Sequence, residues 1–183
     1  MNLFMNLKNF KKCRLWINDT THGIEIKLQN KVEKSIVANT TKSMDTIKVA
    51  IELALPKNAS NYALIGFEYV PNKTVQNKTI VSVCLNNELR DYDNQTLAKI
   101  DDKVVMGICN EYGDSILESA IEYINSIGVF PPGEVIFNIG AHAECGSSRA
   151  IFEKATEIIL MISQFDLENM TNEVIQKEIE LLL

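Results

Sequence analysis

Residues 133 to 162 read GEVIFNIGAHAECGSSRAIFEKATEIILMI. The β-branched and aromatic residues from Glu134 to Ile139 predict a buried strand, set off from everything upstream by Pro131-Pro132-Gly133. The small residues of Gly140-Ala141-His142-Ala143-Glu144-Cys145-Gly146 read as a loop. Ser147 then stands as the cap of a helix from Ser148 to about Met161, with Ile151, Phe152, Ala155, Ile158, Ile159 and Ile162 covering more than half its circumference. A helix that apolar belongs at the centre of a core.

Working upstream, Leu117, Ala120, Ile121, Ile124 and Ile127 fall on one face of a helix that ends at Gly128. Ser115 and Glu118 are spaced as its capping box. Before it lie an apolar run, Val104 to Ile108, and a polar loop from Asn86 to Asp102. Three strands precede that loop: the strict alternation of Ile47, Val49, Ile51, Leu53 and Leu55, then Tyr62 to Val70, then Thr79 to Leu85. Pro56 to Asn61 makes the first turn and Pro71-Asn72 closes the second strand. A short strand is expected at Ile36 and Val37. Cys13 to Asn18 and Gly23 to Leu28 read as a hairpin around Asp19 to Gly23, and Met1 to Lys12 as a short helix or an arm. Downstream, Val174, Ile175, Ile179 and Leu182 mark one face of a C-terminal helix within 166–183. The expected organisation is an N-terminal arm and hairpin over 1–45, an α/β (α+β) domain over 46–165 with an antiparallel-rich sheet and two packed helices, and the C-terminal helix.

Composition narrows the class. The 183 residues are 46% hydrophobic and 23% charged, with four Pro and eight Gly, which suits one folded domain and not a disordered chain. No apolar run reaches the length of a membrane span and the start lacks a signal-peptide core, so no membrane role is expected. Cys13, Cys84, Cys109 and Cys145 are widely spaced and read as reduced thiols in the cytoplasm. The net charge of −6 hides a split: residues 1–60 hold ten Lys/Arg against five Asp/Glu, whereas residues 61–183 hold eight against nineteen. A surface dominated by carboxylates repels phosphate, which makes nucleic acid an unlikely ligand and a basic protein a suitable one.

The order of elements from about 46 to 162 resembles the fourth domain of translation elongation factor G, a ribosomal protein S5 domain 2-like fold. The residues carrying the resemblance are Asn61-Tyr62-Ala63-Leu64-Ile65-Gly66-Phe67-Glu68-Tyr69-Val70-Pro71-Asn72, then Gly128-Val129, Val135, and Gly146-Ser147-Ser148-Arg149-Ala150-Ile151-Phe152-Glu153-Lys154-Ala155. The resemblance implies a ribosome-associated role for the loop tips, here Lys57 in the first tip and His142, Glu144 and Cys145 in the second. Two departures are plain: the first tip, Lys57-Asn58-Ala59-Ser60-Asn61, is short with one Lys, and His142 is displaced by one position relative to Ser147-Ser148. No G-x-x-x-x-G-K-[ST] motif occurs, so no GTPase activity is expected.

Other motifs stand or fall by the chemistry they need. His142-Ala143-Glu144 matches half of a zinc deaminase signature, but no Cys follows Cys145 to complete the ligand set, so no metal and no cofactor are expected. Cys145 two residues before a helix, with His142 three positions away, has the elements of a nucleophilic dyad and lacks an orienting third group. Gly146-Ser147-Ser148 before a helix suits an anion, yet Glu144 opposes one. The acidic stretch around Asp91, Tyr92 and Asp93, followed by Glu111, Tyr112, Asp114, Glu118 and Glu122, lacks calcium-loop spacing and reads as a docking face in which tyrosines supply contact area. The function expected is therefore a non-enzymatic protein-binding module, such as an acidic immunity or inhibitor protein that neutralises a basic toxin. A ribosome-associated factor is the alternative, and a small enzyme built on Cys145 and His142 comes third.

Overall fold

The computed structural model describes residues 1–19, 26, 30–72, 74, 77–86, 90–92 and 95–183. Among them, eight strands form one mixed, mostly antiparallel sheet, and three α-helices accompany it. The strands are β1 (Asn2–Asn6), β2 (Lys12–Ile17), β3 (Asn30–Val37), β4 (Ile47–Ala54), β5 (Tyr62–Pro71), β6 (Lys78–Leu85), β7 (Val104–Met106) and β8 (Gly133–Ala143). The helices are α1 (Asn110–Ser126), α2 (Arg149–Ile162) and α3 (Asn172–Leu182). The strand order is β1-β2-β4-β5-β8-β6-β3, with β7 beside the far end of β8. Among the described strands only β6 and β8 pair in parallel, and α1 lies on the crossover between them. The architecture is therefore α+β.

Both sheet faces are covered, which explains why β4 and β5 are buried along nearly their whole length. On one face Leu15, Ile51, Ile65, Phe67 and Phe137 meet Ile116, Ile151, Phe152 and Ile159 from α1 and α2. On the other, Trp16, Ala50, Tyr62, Leu64, Ile139 and Ala141 form a smaller cluster against Tyr92 and Ala98 from the segment between β6 and β7. A bulge moves β8 from one cluster to the other: Gly66 opposes Ile139 whereas Phe67 opposes Phe137, so Asn138 is the extra residue. Phe137 thus faces the helices and Ile139, two residues on, faces away from them.

Several local expectations are corrected. Met1 to Lys12 is a strand and a single 3-10 turn, because Leu3, Met5 and Leu7 alternate inward while Phe4 stays exposed. A hairpin is formed by β1 with β2, and β4 pairs with the other edge of β2; the strand expected at Gly23 to Leu28 falls, apart from Ile26, outside the described residues. The strand at Ile36 and Val37 extends back to Asn30. Helix α1 begins at Asn110 with Cys109 as its cap, so Ser115 is internal; its Oγ donates to the Tyr112 carbonyl at 3.0 Å. Gly113 disguised that start, and it sits there because a Cβ would come within 2.4 Å of Leu85 Cδ2. His142 and Ala143 are strand and not loop, paired with Val105 and Val104. Ser148, not Ser147, is the N-cap residue of α2, and α3 begins only at Asn172 after a turn.

Candidate functional site

The four α1 carboxylates of the expected docking face lie on one exposed stripe. Glu111, Asp114, Glu118 and Glu122 are separated by three, four and four residues and are exposed, while Tyr112, Ile116, Ala120 and Ile124 turn inward. From Glu111 to Glu122 the stripe runs about 17 Å at the helical rise. Arg149 Nε lies 3.7 Å from Glu111 Oε1, the one cation seen paired with the stripe among the described residues.

The remaining members of the expected docking face are placed differently. Asp91 makes an antiparallel bridge to Val105 and its carboxylate pairs with Lys103 Nζ at 2.9 Å. Tyr92 packs on the sheet face opposite α1, where burial and then the Glu52 carboxylate push its hydroxyl pKa upward. Tyr112 is only 9% exposed and its ring stacks on Phe152, with centroids 4.6 Å apart. Asp93 lies outside the described residues. The two tyrosines thus belong to two different cores and do not present a common surface with the acids.

A second feature lies at one end of the sheet, where the β4–β5 turn meets the β8–α2 loop. The amides of Asn61 and Tyr62 both donate to the Gly146 carbonyl, at 2.7 and 3.2 Å. Ser147 Oγ donates to the Tyr62 carbonyl at 2.6 Å and accepts from the Ala143 amide at 2.9 Å, and the Ser60 and Ser148 hydroxyls share a hydrogen bond. The Cys145 amide donates to Asp102 Oδ1 at 3.0 Å, and the Glu144 amide to the Lys103 carbonyl at 2.9 Å. A shallow pocket of about 280 Å³ lies between Ala59, Asn61, Lys99, Asp102 and Cys145. Lys57 is exposed beside it in sequence, with Nζ 4.6 Å from the centre of the Phe10 ring. Sequence spacing alone placed Lys57, Glu144 and Cys145 in two separate loops; the fold joins those loops.

His142 does not join them. The bulge at Asn138 turns its ring toward the helical layer, where it meets Tyr112 edge-on with centroids 5.3 Å apart, and Nδ1 lies 3.3 Å from the Gly107 carbonyl. Burial lowers its pKa, opposed by the Gly107 contact and by Glu144. Cys145 opens instead to the pocket, among residues that do not include His142. Among the described residues, no group of three or more His, Cys, Asp or Glu is placed to hold a metal ion. No helix among them is long and apolar enough to cross a membrane.

One polar cluster leaves almost no trace in the sequence. Glu52 is wholly buried, and its Oε1 accepts from Tyr62 Oη at 2.8 Å, the Leu97 amide at 2.8 Å and Thr96 Oγ1 at 3.2 Å. Its Oε2 faces Arg14 Nη1 at 3.3 Å, and Arg14 Nη2 donates to the Gln95 carbonyl at 3.1 Å. Burial, reinforced by the Glu52 charge, holds the Tyr62 hydroxyl well above the ordinary phenol range. The cluster pins the 95–98 segment to the sheet. Its one signal in the sequence was a carboxylate inside the apolar run Val49 to Leu55.

No family model matches this chain, and it matches neither a curated protein nor a solved structure.

Proposed function

We propose that this protein is a non-enzymatic binding module that engages a basic protein partner through the exposed face of α1, as an immunity or inhibitor protein does when it occupies the cationic surface of a toxin. The observation that carries the reading is the stripe of Glu111, Asp114, Glu118 and Glu122, held in fixed register because the apolar side of the same helix is locked into the core. Complementary charge of this kind accelerates encounter and disfavours acidic competitors. The four thiols are all free, which suits a reducing cytoplasm.

The test is kinetic. Association with a basic protein encoded by a neighbouring gene should slow several-fold at low salt when Glu111, Asp114 and Glu118 are changed to Lys, and much less at high salt. Binding indifferent to both salt and the reversals argues that α1 is merely solvated.

A second reading is favoured by the joined loops. A factor that meets the small ribosomal subunit through the tip at Lys57 and Glu144 is supported by the element order β4, β5, β6, α1, β8, α2, with the three-residue β7 inserted between β6 and α1, and by the meeting of the 55–61 turn with the 144–148 loop. The same order supports the finer assignment to a ribosomal protein S5 domain 2-like fold. Co-sedimentation with the small subunit, weakened by Lys57→Glu, is the outcome that reading expects, and its absence removes it. Lys57 is the cleaner site because His142 is packed into the core.

A further inference from the structure

The end of the acidic stripe runs into a groove with an apolar floor. Tyr123 from α1, Ile127 just past the end of that helix, Met161 from α2 and Leu182 from α3 line an open cleft of about 310 Å³, roughly the space of ten water molecules, with Glu122 and Glu157 among its walls. Ile127 is 72% exposed there, a large aliphatic side chain left in water at the mouth of a groove.

The electrostatics of the groove point the same way as its acids. It is walled by the C-terminal turns of α1 and α2, whose aligned peptide dipoles place negative partial charge at that end. Neither helix has a basic residue in its last turn. The α1 end is capped by a neutral group: Asn39 Nδ2 donates to the carbonyls of Ile124 and Gly128. The α2 end is closed by Ser163, whose Oγ donates to the Leu160 carbonyl, and by the Gln164 amide, which donates to the Met161 carbonyl. The α3 end differs, because Lys11 Nζ donates to the Leu183 carbonyl at 2.8 Å. One wall carboxylate, Glu157, already holds a cation: Lys154 Nζ lies 3.0 Å from its Oε2. Glu157 acts on the groove, since the Tyr123 hydroxyl pKa is raised first by burial and then by the Glu157 charge.

We infer that this groove is the anchor point for a cationic amphipathic segment of a partner protein, seating an apolar side chain on Tyr123, Ile127 and Met161 while a flanking lysine or arginine reaches Glu122 and Glu157. The inference rests on the reading of the protein as a module for a basic partner, and it specifies the shape of that partner's contact. Lysine and arginine suit such a place because their stems lie on apolar surface while their heads reach the carboxylates. An incoming cation competes with Lys154 for Glu157, so the resident lysine is an inhibitor of the site.

The test is a titration of the full chain, labelled for amide NMR, with a synthetic octapeptide of alternating Lys and Leu at low salt, and with its Glu/Leu counterpart as control. Saturable shifts at Tyr123, Ile127 and Met161 with the Lys/Leu peptide alone are expected. The double change Glu122→Gln with Glu157→Gln should weaken binding several-fold to about tenfold, and Ile127→Ser should weaken it too. Lys154→Met should tighten it a few-fold, an effect in the opposite direction that general destabilisation does not produce. Thermal melts establish that each variant is folded. Shifts confined to Glu111, Asp114 and Glu118, with the groove silent, overturn the groove and leave the acidic-face reading standing. Absence of saturable shifts anywhere overturns both.

Discussion

Arg14 and Glu52 are register partners across β2 and β4, and the Arg14 Nη1 lies 3.3 Å from a buried carboxylate oxygen that has no hydrogen bond of its own. The other oxygen of Glu52 takes three donors, so Arg14 alone offsets the charge on Oε2. Removing one member of a buried pair strands the other, at a cost of about 3–5 kcal/mol. Arg14→Met should therefore lower stability by that order in urea denaturation. Arg14→Met with Glu52→Gln should recover part of the loss, since the uncharged amide still accepts from Tyr62 and Leu97. Equal and additive losses for the two changes would show that the ion pair is not the coupling.

Gly146 is the residue that lets the two end loops meet. A Cβ built there would lie 2.5 Å from Asn61 Oδ1 and 2.7 Å from Asp102 Oδ2, while its carbonyl takes two amides. Gly146→Ala has to push the loops apart, and a loss of about 1–3 kcal/mol is expected. Amide exchange should speed up at Asn61 and Tyr62 and leave the α1 core unchanged. If exchange accelerates equally in α1 and α2, the junction is not a local one.

His142 gives the stability a definite pH dependence. Its pKa in the fold lies below the ordinary 6.5, chiefly through burial. Between the two values the unfolded chain binds the proton and the folded one does not, so stability is fully present above 6.5 and falls as pH drops toward the folded value. The slope from this group cannot exceed one proton, about 1.4 kcal/mol per pH unit. Urea midpoints of the wild type should decline from pH 7 to pH 5 more steeply than those of His142→Gln. Parallel curves would show that other groups set the decline.

Much of this fold is legible in the sequence. The strands at Ile47 to Leu55, Tyr62 to Val70 and Thr79 to Leu85 and the helix after Ser148 announce themselves by periodicity, because each has a single apolar period bounded by turn residues. The misread places are those where tertiary contact overrides local pattern. Gly113 looks like a break and is a point of close packing on Leu85; His142 looks like loop and is strand because β7 pairs with it; Leu3 suits a helix and lies in an edge strand. The candidate site divides the same way. Glu118 and Glu122 fall inside the helix expected from Ser115 onward and share a face by helical arithmetic, whereas Glu111 and Asp114 join them only because α1 starts at Asn110, and the burial of Tyr112, the sheet face taken by Tyr92 and the junction at Gly146 depend on which elements lie against one another.

Asn39 ties the segment after β3 to the end of α1, and it is the next point at which the groove can be tested through structure. Its Nδ2 donates to the carbonyls of Ile124 and Gly128 at 2.8 and 2.6 Å, and its Oδ1 accepts from the Phe130 amide at 3.1 Å. One side chain thus satisfies two carbonyls at the helix end and holds the turn that follows. Asn39→Ala removes all three bonds at a partly buried place, and a loss of about 1–2 kcal/mol is expected. Asn39→Asp is the more telling change. The carboxylate still accepts from Phe130 but faces two carbonyl oxygens where a donor stood, and it adds a negative charge at the negative end of the helix dipole. It should destabilise at least as much as Ala at neutral pH and recover in part when acid restores a donor. If Asn39→Asp matches the wild type at neutral pH in denaturant titration, the amide is not the cap of α1, and the shape of the groove beside it is set elsewhere.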